Sequence, residues 1–226
     1  MALILHIETA TKQCSVALAE DGKALQVQEI AQEGYSHAEK LHVFICDVLE
    51  QAKRSFGQLD AIAVSKGPGS YTGLRIGNSA AKGLCFALDI PLIAVDTLAI
   101  LAAQAQEVIH EGVIVPMLDA RRMEVYSARY DANGHQLQAA QAEILDDQSY
   151  MLCQEQLYFV GDCQAKVQTV LKQPNFHFLS NIVYPSARDM VAISYAKFTA
   201  KAFEDVAYYT PFYLKDFVGT TPKPKL

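Results

Sequence analysis

Two stretches of the chain repeat one pattern, and this repeat constrains the fold more than any other feature. The first, IETATKQCSVALAEDGKALQVQ, begins at Ile7, and the second, LDARRMEVYSARYDANGHQLQAA, begins at Leu118. In each copy an acid ends an apolar segment, a basic turn follows, and a second apolar segment leads to an acid, a glycine and a third segment. Apolar segments joined by such turns predict antiparallel strands. A pattern that recurs along a chain favours two copies of one structural unit.

Helical periodicity extends the first copy. After its three strands, apolar residues recur at helical spacing between Leu41 and Ala52, and Ser36 with Glu39 forms a capping box before them. A buried strand, LDAIAVS, then leads to a glycine-rich loop and to a helix predicted at about 72–88. The strand LIAVD and a third helix at about 97–110 complete this half, which gives the element order βββαβαβα.

The second half follows the same plan with less regular helices. After its three strands come the strand LYFVGD, a helix near 164–171, the strand FHFL and a long helix near 188–203. We therefore predict an α/β protein of two tandem RNase H-like βββαβα lobes in the actin-like ATPase (ASKHA) arrangement; two unrelated α/β halves are the alternative. The lobes would span residues 1–110 and 111–217, and residues 218–226 are expected to form a flexible tail.

Composition and charge argue against several classes of protein. A net charge of −6 argues against a surface that grips nucleic acid alone. The five cysteines are scattered without a CxxC pair, which indicates free thiols in a reducing compartment. The first residues lack the basic segment of a signal peptide, and no apolar run approaches the roughly 18 residues of a membrane span. We therefore expect a cytoplasmic protein without membrane contact.

The glycine-rich stretch VSKGPGSYTGLRIG, Val64–Gly77, does not match either of two familiar catalytic loops. A Walker A loop needs a lysine after its last glycine, and a nucleophile elbow needs a glycine two residues to either side of its serine. The loop does precede a predicted helix, where free N–H groups favour an anion. A weak nucleotide contact is therefore one hypothesis for this region. It would involve Glu8, Thr9, Gly67, Gly69 and Ser70.

Small residues recur every four positions in the helix after this loop, at Gly73, Gly77 and Ala81. A glycine inside a helix costs about 1 kcal/mol relative to alanine, so a face that repeats this cost indicates close backbone approach. Apolar residues cover too much of the remaining circumference for a single core face. Two interpretations stay open: the helix is enclosed within the protein, or part of its surface contacts another chain.

The segment DAIAVSKGPGSYTGLRIGNSAAKGLCFALDIPLIAVDTL is specific enough to indicate a family. With ILHIETAT and CSVAL near the start, GYSHAEKL in the first helix and PMLDARRMEVYSARY in the second half, it resembles the TsaB (YeaZ) family over nearly the whole chain; TPFYLK near the end matches more loosely. Members of this glycoprotease-like family are scaffold subunits of the bacterial machinery that forms threonylcarbamoyladenosine next to the anticodon of tRNA. The resemblance therefore implies a role in tRNA modification without catalysis by this chain.

The resemblance also implies partners. They are a metal-containing catalytic paralogue (TsaD-like), which the scaffold would activate, and a small P-loop ATPase (TsaE-like). The chain would form a homodimer when alone and would meet tRNA only through the complex. It would have no cofactor of its own, although ATP or ADP would bind near the subunit interface. The interface would lie in residues 37–52 and 73–88, at His37, Lys40, Leu41, Phe44, Ile45, Val48, Gly73, Leu74, Gly77, Ala80, Ala81 and Leu84.

Positions that carry chemistry in related proteins hold other residues here. The catalytic paralogue has an H-x-x-x-H metal site on its third helix, which aligns with Thr97 and Leu101 in this chain. Glu8 ends the first strand, where an active member of the superfamily holds Mg²⁺, but no glycine follows it in the turn. Arg121 and Arg122 either contact a phosphate or lie in a turn. We therefore expect no catalytic and no metal-ligating residues; a self-sufficient kinase-like ATPase or a metal-dependent peptidase is the alternative.

Overall fold

The computed structural model of the chain describes residues 1–31 and 37–215. The Ser36 cap and the tail at 218–226 that the sequence predicts lie outside these residues. Within them the chain forms two five-stranded sheets. The first contains β1 Leu3–Glu8, β2 Gln13–Glu20, β3 Lys23–Ala31, β4 Ala61–Gly67 and β5 Leu92–Asp96; the second contains β6 Val113–Asp119, β7 Glu124–Asp131, β8 Gln136–Ile144, β9 Leu157–Gly161 and β10 Phe176–Phe178. The helices are α1 His37–Gln51, α2 Tyr71–Leu88, α3 Thr97–Gln106, α4 Gln164–Val167 and α5 Val191–Thr199.

Both sheets have the same strand order. The first runs β3-β2-β1-β4-β5, and the second, read from its other edge, runs β8-β7-β6-β9-β10. In each, the first three strands are antiparallel neighbours, and the fourth and fifth lie parallel to the first. The predicted fold class is therefore confirmed. We call the part of the chain that contains the first sheet lobe 1. The part that contains the second sheet is lobe 2.

One backbone feature recurs at the same place in both lobes. The fourth strand of lobe 1 ends at Gly67 and the fourth strand of lobe 2 ends at Gly161. Their φ angles are +112° and +120°, a region that side-chain-bearing residues rarely adopt. This shared geometry supports the interpretation of the two lobes as copies of one unit.

The helices depart from the prediction more than the strands do. Helix α2 begins at Tyr71, one residue before its predicted start, and α3 ends at Gln106 rather than His110. In lobe 2, α4 has only four residues and α5 has nine. Helix α5 stops before Lys201, whose φ of +54° is incompatible with a continuing right-handed helix.

One helix of each lobe packs against the sheet of the other lobe. Helices α1 and α2 lie on one face of the first sheet and bury the apolar side chains of its central strands. Helix α5 of lobe 2 covers the other face of that sheet, whereas α3 of lobe 1 packs mainly on the second sheet. The predicted boundary at residue 110 therefore divides a shared core, and it remains a prediction. None of the helices in the described ranges is long and apolar enough to cross a membrane.

Candidate functional site

A cavity of about 570 Å³ opens between the two lobes. Lobe 1 contributes the turn after β1 and the glycine-rich loop with the start of α2, and lobe 2 contributes the turn between β6 and β7. The last described residues of the chain form part of its wall. The lining residues that matter below are Ala10, Lys12, Gly69, Ser70, Tyr71, Asp119, Arg121, Glu124, Asp162, Phe212, Tyr213 and Lys215.

The glycine-rich loop packs backbone to backbone against the turn after β1. The Ser70 N–H donates to the Ala10 carbonyl at 2.7 Å, and a Cβ at Gly69 would overlap the same carbonyl. Further along α2, a Cβ at Gly73 or Gly77 would overlap Thr9. The glycines are therefore explained by contacts within lobe 1. The first of the two interpretations, a helix enclosed by its own chain, is correct for this face of α2.

Glu8 is enclosed at the end of β1. Its side chain is fully buried, and the Ala10 N–H donates to its Oε1 at 2.6 Å. Burial raises the pKa of Glu8 to about 8, although hydrogen bonds from Ala10, Ser65 and Thr9 act in the opposite direction. The group is therefore mostly protonated at neutral pH. A buried neutral carboxyl does not fit the role of a Mg²⁺ ligand, which requires an accessible carboxylate.

The five predicted nucleotide-contact residues separate into two groups. Glu8, Thr9 and Gly67 are buried within lobe 1 and do not line the cavity, and a ligand contact at these positions stays a prediction. Gly69 and Ser70 do line it. Ser70 is also the N-cap of α2, because its Oγ accepts the Gly73 N–H at 3.2 Å. The prediction for Gly69 and Ser70 remains a prediction.

Lobe 2 faces the cavity with a charged, tightly turned hairpin. Arg121 and Arg122 have φ angles of +72° and +49°, so both lie in the turn. The Arg121 N–H donates to Asp119 Oδ1 at 2.7 Å, and the Lys166 ammonium contacts the same oxygen at 2.5 Å. The Asp119 N–H in turn donates to Asp162. Of these groups, Arg121 lines the cavity. Among the described residues, no carboxylate pairs with its guanidinium.

The histidines act as structural residues where the structure shows their contacts. His6 is fully buried, with Nε2 2.7 Å from the Ser194 hydroxyl of α5, and burial lowers its pKa to about 4. The Nε2 of His37 lies 2.8 Å from the Thr11 carbonyl. Both imidazoles therefore connect elements within the chain.

The predicted interface residues lie mostly inside lobe 1. Four of the six on each helix are buried in the isolated chain, because they face the first sheet and not the solvent. Their assignment to an interface stays a prediction, and a partner would reach these eight only beside the more exposed residues of the same helices. The eight are His37, Leu41, Ile45, Val48, Gly73, Leu74, Gly77 and Ala81. The remaining four, Lys40, Phe44, Ala80 and Leu84, are partly exposed, and their role in an interface remains a prediction.

Apolar side chains on the outer surface of α1 and α2 were not identified from the sequence. Phe86 is 85% exposed and Val43 is 51% exposed, on two helices that contact each other. Gly83 of α2 has open space around it. The signal was available: Val43 falls on the face of α1 opposite the buried residues Leu41 and Ile45, and Phe86 falls on the face of α2 opposite the buried Gly77. We call the outer surface of α1 and α2 around Phe86 and Val43 the α1–α2 surface.

Thr97 and Leu101, where we expect the metal-ligand positions of a related protein, pack inside this chain. Thr97 and Leu101 are fully buried, and Leu101 contacts apolar residues of lobe 2. Among residues 1–31 and 37–215, no group of three or more His, Cys, Asp and Glu side chains is arranged to hold a metal ion. The segment Phe212–Lys215 in the cavity wall had no local sequence signal, because its position depends on contacts far away in the chain.

Comparison with known proteins agrees with this fold. Residues 27–222 match the family model described as "TsaD: tRNA N6-adenosine threonylcarbamoyltransferase". The tRNA threonylcarbamoyladenosine biosynthesis protein TsaB of Escherichia coli is 30% identical over 98% of both chains. The TsaB protein of Haemophilus influenzae is 37% identical over 54% of this chain and 51% of its own. The crystal structure of YeaZ from Pseudomonas aeruginosa covers 95% of this chain and 100% of its own, at 29% identity and a TM-score of 0.80.

Sequence and fold thus agree, and the chain belongs to the TsaB (YeaZ) family of tRNA threonylcarbamoyladenosine biosynthesis proteins.

Proposed function

We propose that this protein is a non-catalytic scaffold that binds its metal-containing paralogue through the α1–α2 surface and activates it in the formation of threonylcarbamoyladenosine. The observation that carries the proposal is the exposure of Phe86, 85%, on a helix that lies beside α1. Large exposed aromatic side chains are the usual anchors of protein interfaces. The same surface would pair two copies of this chain when the paralogue is absent.

Catalysis would belong to the partner. The alignment of Thr97 and Leu101 with metal ligands, and the burial of both in this chain, support this division of roles. The burial of Glu8 supports it as well, because a Mg²⁺ ligand needs an accessible carboxylate and Glu8 does not line the cavity. The scaffold would then act by differential binding, favouring the paralogue conformation whose helices fit α1 and α2. A small P-loop ATPase would join the complex, and tRNA would meet it through the catalytic subunit.

ATP or ADP would bind near the subunit interface and not as a cofactor of this chain alone. The cavity between the lobes offers Lys12 and Arg121 for a phosphate, beside the start of α2 at Ser70. Asp119 and Glu124, which line the same cavity, already contact lysines and would not attract a cation strongly.

The test is binding of the purified catalytic paralogue to full-length protein, measured by size-exclusion chromatography and calorimetry. The variant Phe86→Glu places a charge at the exposed aromatic residue of the proposed surface, and we expect at least tenfold weaker binding, which corresponds to about 1.4 kcal/mol. Val43→Glu should weaken binding to a smaller extent, because its side chain is less exposed.

Matched controls lie on lobe 2. Ile144 and Leu137 of β8 are 75% and 57% exposed, so Ile144→Glu and Leu137→Glu make comparable changes away from the α1–α2 surface. Unchanged binding by Phe86→Glu would exclude the proposed surface. ATP turnover by the isolated chain that is abolished by Glu8→Ala would instead favour a self-sufficient ATPase.

A further inference from the structure

The described part of the chain ends in a segment that returns from lobe 2 to lobe 1. After α5, the Glu204 N–H donates to the Leu92 carbonyl of β5 at 2.9 Å. Tyr209 is then buried, 9% exposed, in the core under α1 and α2. The Phe212 N–H donates to the Lys66 carbonyl at 2.7 Å, directly before the glycine-rich loop. We call residues 204–215 the clasp.

Helix α2 fixes the first part of the clasp. The Lys82 ammonium donates to the Tyr209 carbonyl at 2.8 Å and to the Ala207 carbonyl at 3.3 Å. Both bonds hold main-chain atoms, so they set the path of the backbone. With Tyr209 buried and Glu204 bonded to β5, this part of the clasp is anchored on lobe 1.

The last part of the clasp contacts both lobes within three residues. The ring of Tyr213 lies 4.9 Å from the ring of Tyr71 at the start of α2. The Lys215 ammonium contacts both carboxylate oxygens of Glu124, at the start of β7, at 2.5 Å. Phe212–Lys215 lie in the cavity wall. Tyr213 therefore holds the lobe 1 side of the cavity and Lys215 holds the lobe 2 side.

The two contacts at this end are of the kind that can be released. The side chains of Lys215 and Glu124 are 47% and 20% exposed, and Tyr213 is 37% exposed. An exposed ion pair or a single aromatic pair shifts an equilibrium by roughly tenfold or less. Among residues 1–31 and 37–215, the first part of the clasp is therefore held by buried contacts and its last part by exposed ones, which is the physical arrangement of a lid.

We propose that the clasp closes the cavity between the lobes, with Tyr213 and Lys215 as its releasable contacts, so that the mouth of the cavity opens only after these two contacts break. An anionic ligand that entered the cavity would compete with Glu124 for Lys215. The closure itself belongs to the isolated chain and does not depend on a partner.

Hydrogen–deuterium exchange of the full-length protein tests the closure. Peptides that cover residues 68–72 and 118–124 report on the two sides of the cavity. Lys215→Glu, which removes the lobe 2 contact, should raise exchange by roughly three- to tenfold on both sides. Tyr213→Ala, which removes only the lobe 1 ring contact, should raise exchange at 118–124 as well. This effect on the opposite lobe distinguishes closure from a local contact.

Three controls accompany these variants. Tyr213→Phe keeps the ring and should leave exchange unchanged, and Lys172→Glu makes the same charge change at an exposed lysine of lobe 2 outside the clasp. The double variant Lys215→Glu with Glu124→Lys restores an ion pair of reversed polarity and should return both peptides toward their original exchange. Changes confined to the substituted contact, or a double variant no better than Lys215→Glu alone, would overturn the proposal.

Discussion

The acids that end the first strand of each lobe occupy equivalent positions and have opposite surroundings. Glu8 of lobe 1 is fully buried and mostly protonated at neutral pH. Asp119 of lobe 2 is exposed, holds Lys166 at 2.5 Å and accepts the N–H of the turn that follows it. Identical topology therefore does not determine the charge of a side chain. The loops and helices that cover the end of the strand determine it, and these differ between the lobes.

The helices show the same divergence on a larger scale. Between the third and fourth strands, lobe 1 carries the fifteen-residue α1, whereas lobe 2 has an irregular segment at 145–156. After the fourth strand, lobe 1 carries the eighteen-residue α2 and lobe 2 the four-residue α4. The sheets are thus the repeated part of the molecule. The surface proposed for a partner is built from the helices that only lobe 1 has at full length within the described residues.

The largest effect is expected at the glycines that end the fourth strands. In Gly161→Ala the new Cβ overlaps the Met117 carbonyl inside the second sheet, at a φ of +120°. We expect a loss of roughly 3–5 kcal/mol in the free energy of unfolding, from backbone strain and overlap together. In Gly67→Ala the overlapping atom belongs to Phe212 of the clasp, which can move, so a loss of about 2 kcal/mol is expected.

Urea unfolding of both variants measures this difference. Equal losses in the free energy of unfolding would show that the clasp is as rigid as a central strand. The two glycines would then not distinguish the lobes. A larger loss for Gly67→Ala than for Gly161→Ala would contradict the comparison directly.

A smaller effect, of opposite sign, is expected from the acids. Because the pKa of Glu8 is raised from 4.5 to about 8 in the folded protein, the folded state retains a proton that the unfolded state releases. The contribution of Glu8 to stability is therefore greatest below pH 4.5 and is lost progressively as the pH rises to about 8. Glu8→Gln removes this dependence, and we expect it to stabilise the protein by about 3 kcal/mol at pH 7.

Denaturant unfolding at several pH values between 5 and 8 checks this expectation. The advantage of Glu8→Gln over the parent should widen as the pH rises. Asp119→Asn is the matched change in lobe 2, and its effect should stay below about 1 kcal/mol, since it removes an exposed ion pair. An advantage that does not vary with pH would mean that Glu8 is ionised in the folded state.

The smallest effect concerns two glycines of the same helix. Gly77→Ala brings a Cβ against the Thr9 hydroxyl in the buried contact between α2 and β1, and should destabilise the protein by about 2 kcal/mol. Gly83→Ala has open space and should stabilise it by about 0.5–1 kcal/mol. Thermal unfolding of both variants measures these changes in stability. Opposite signs would distinguish the side of α2 that faces β1 from its solvent-exposed side. Full stability of Gly77→Ala would mean that α2 does not approach β1 as closely as described.

The sequence predicted the strands and their order well, because alternation, tight turns and the repeat are local signals that agree with one another. It predicted close backbone approach at Gly73 and Gly77, but the spacing of small residues does not say which backbone approaches. Thr9 lies 64 residues from Gly73 along the chain, and its position follows from sheet pairing. The burial of Glu8 and the position of Tyr213 in the cavity also result from long-range packing, so no sequence motif predicted them.

Helix α3 also bears on how such a chain changes over evolutionary time. The helix is a seam between two hydrophobic layers, with Leu101 and Ala105 against the second sheet and Ile100 against the first. Two imidazoles placed at Thr97 and Leu101 would lose water and find no polar neighbours prepared for them. A metal site at this junction would therefore demand rebuilding the contact between the lobes, and each single step toward it would lower stability.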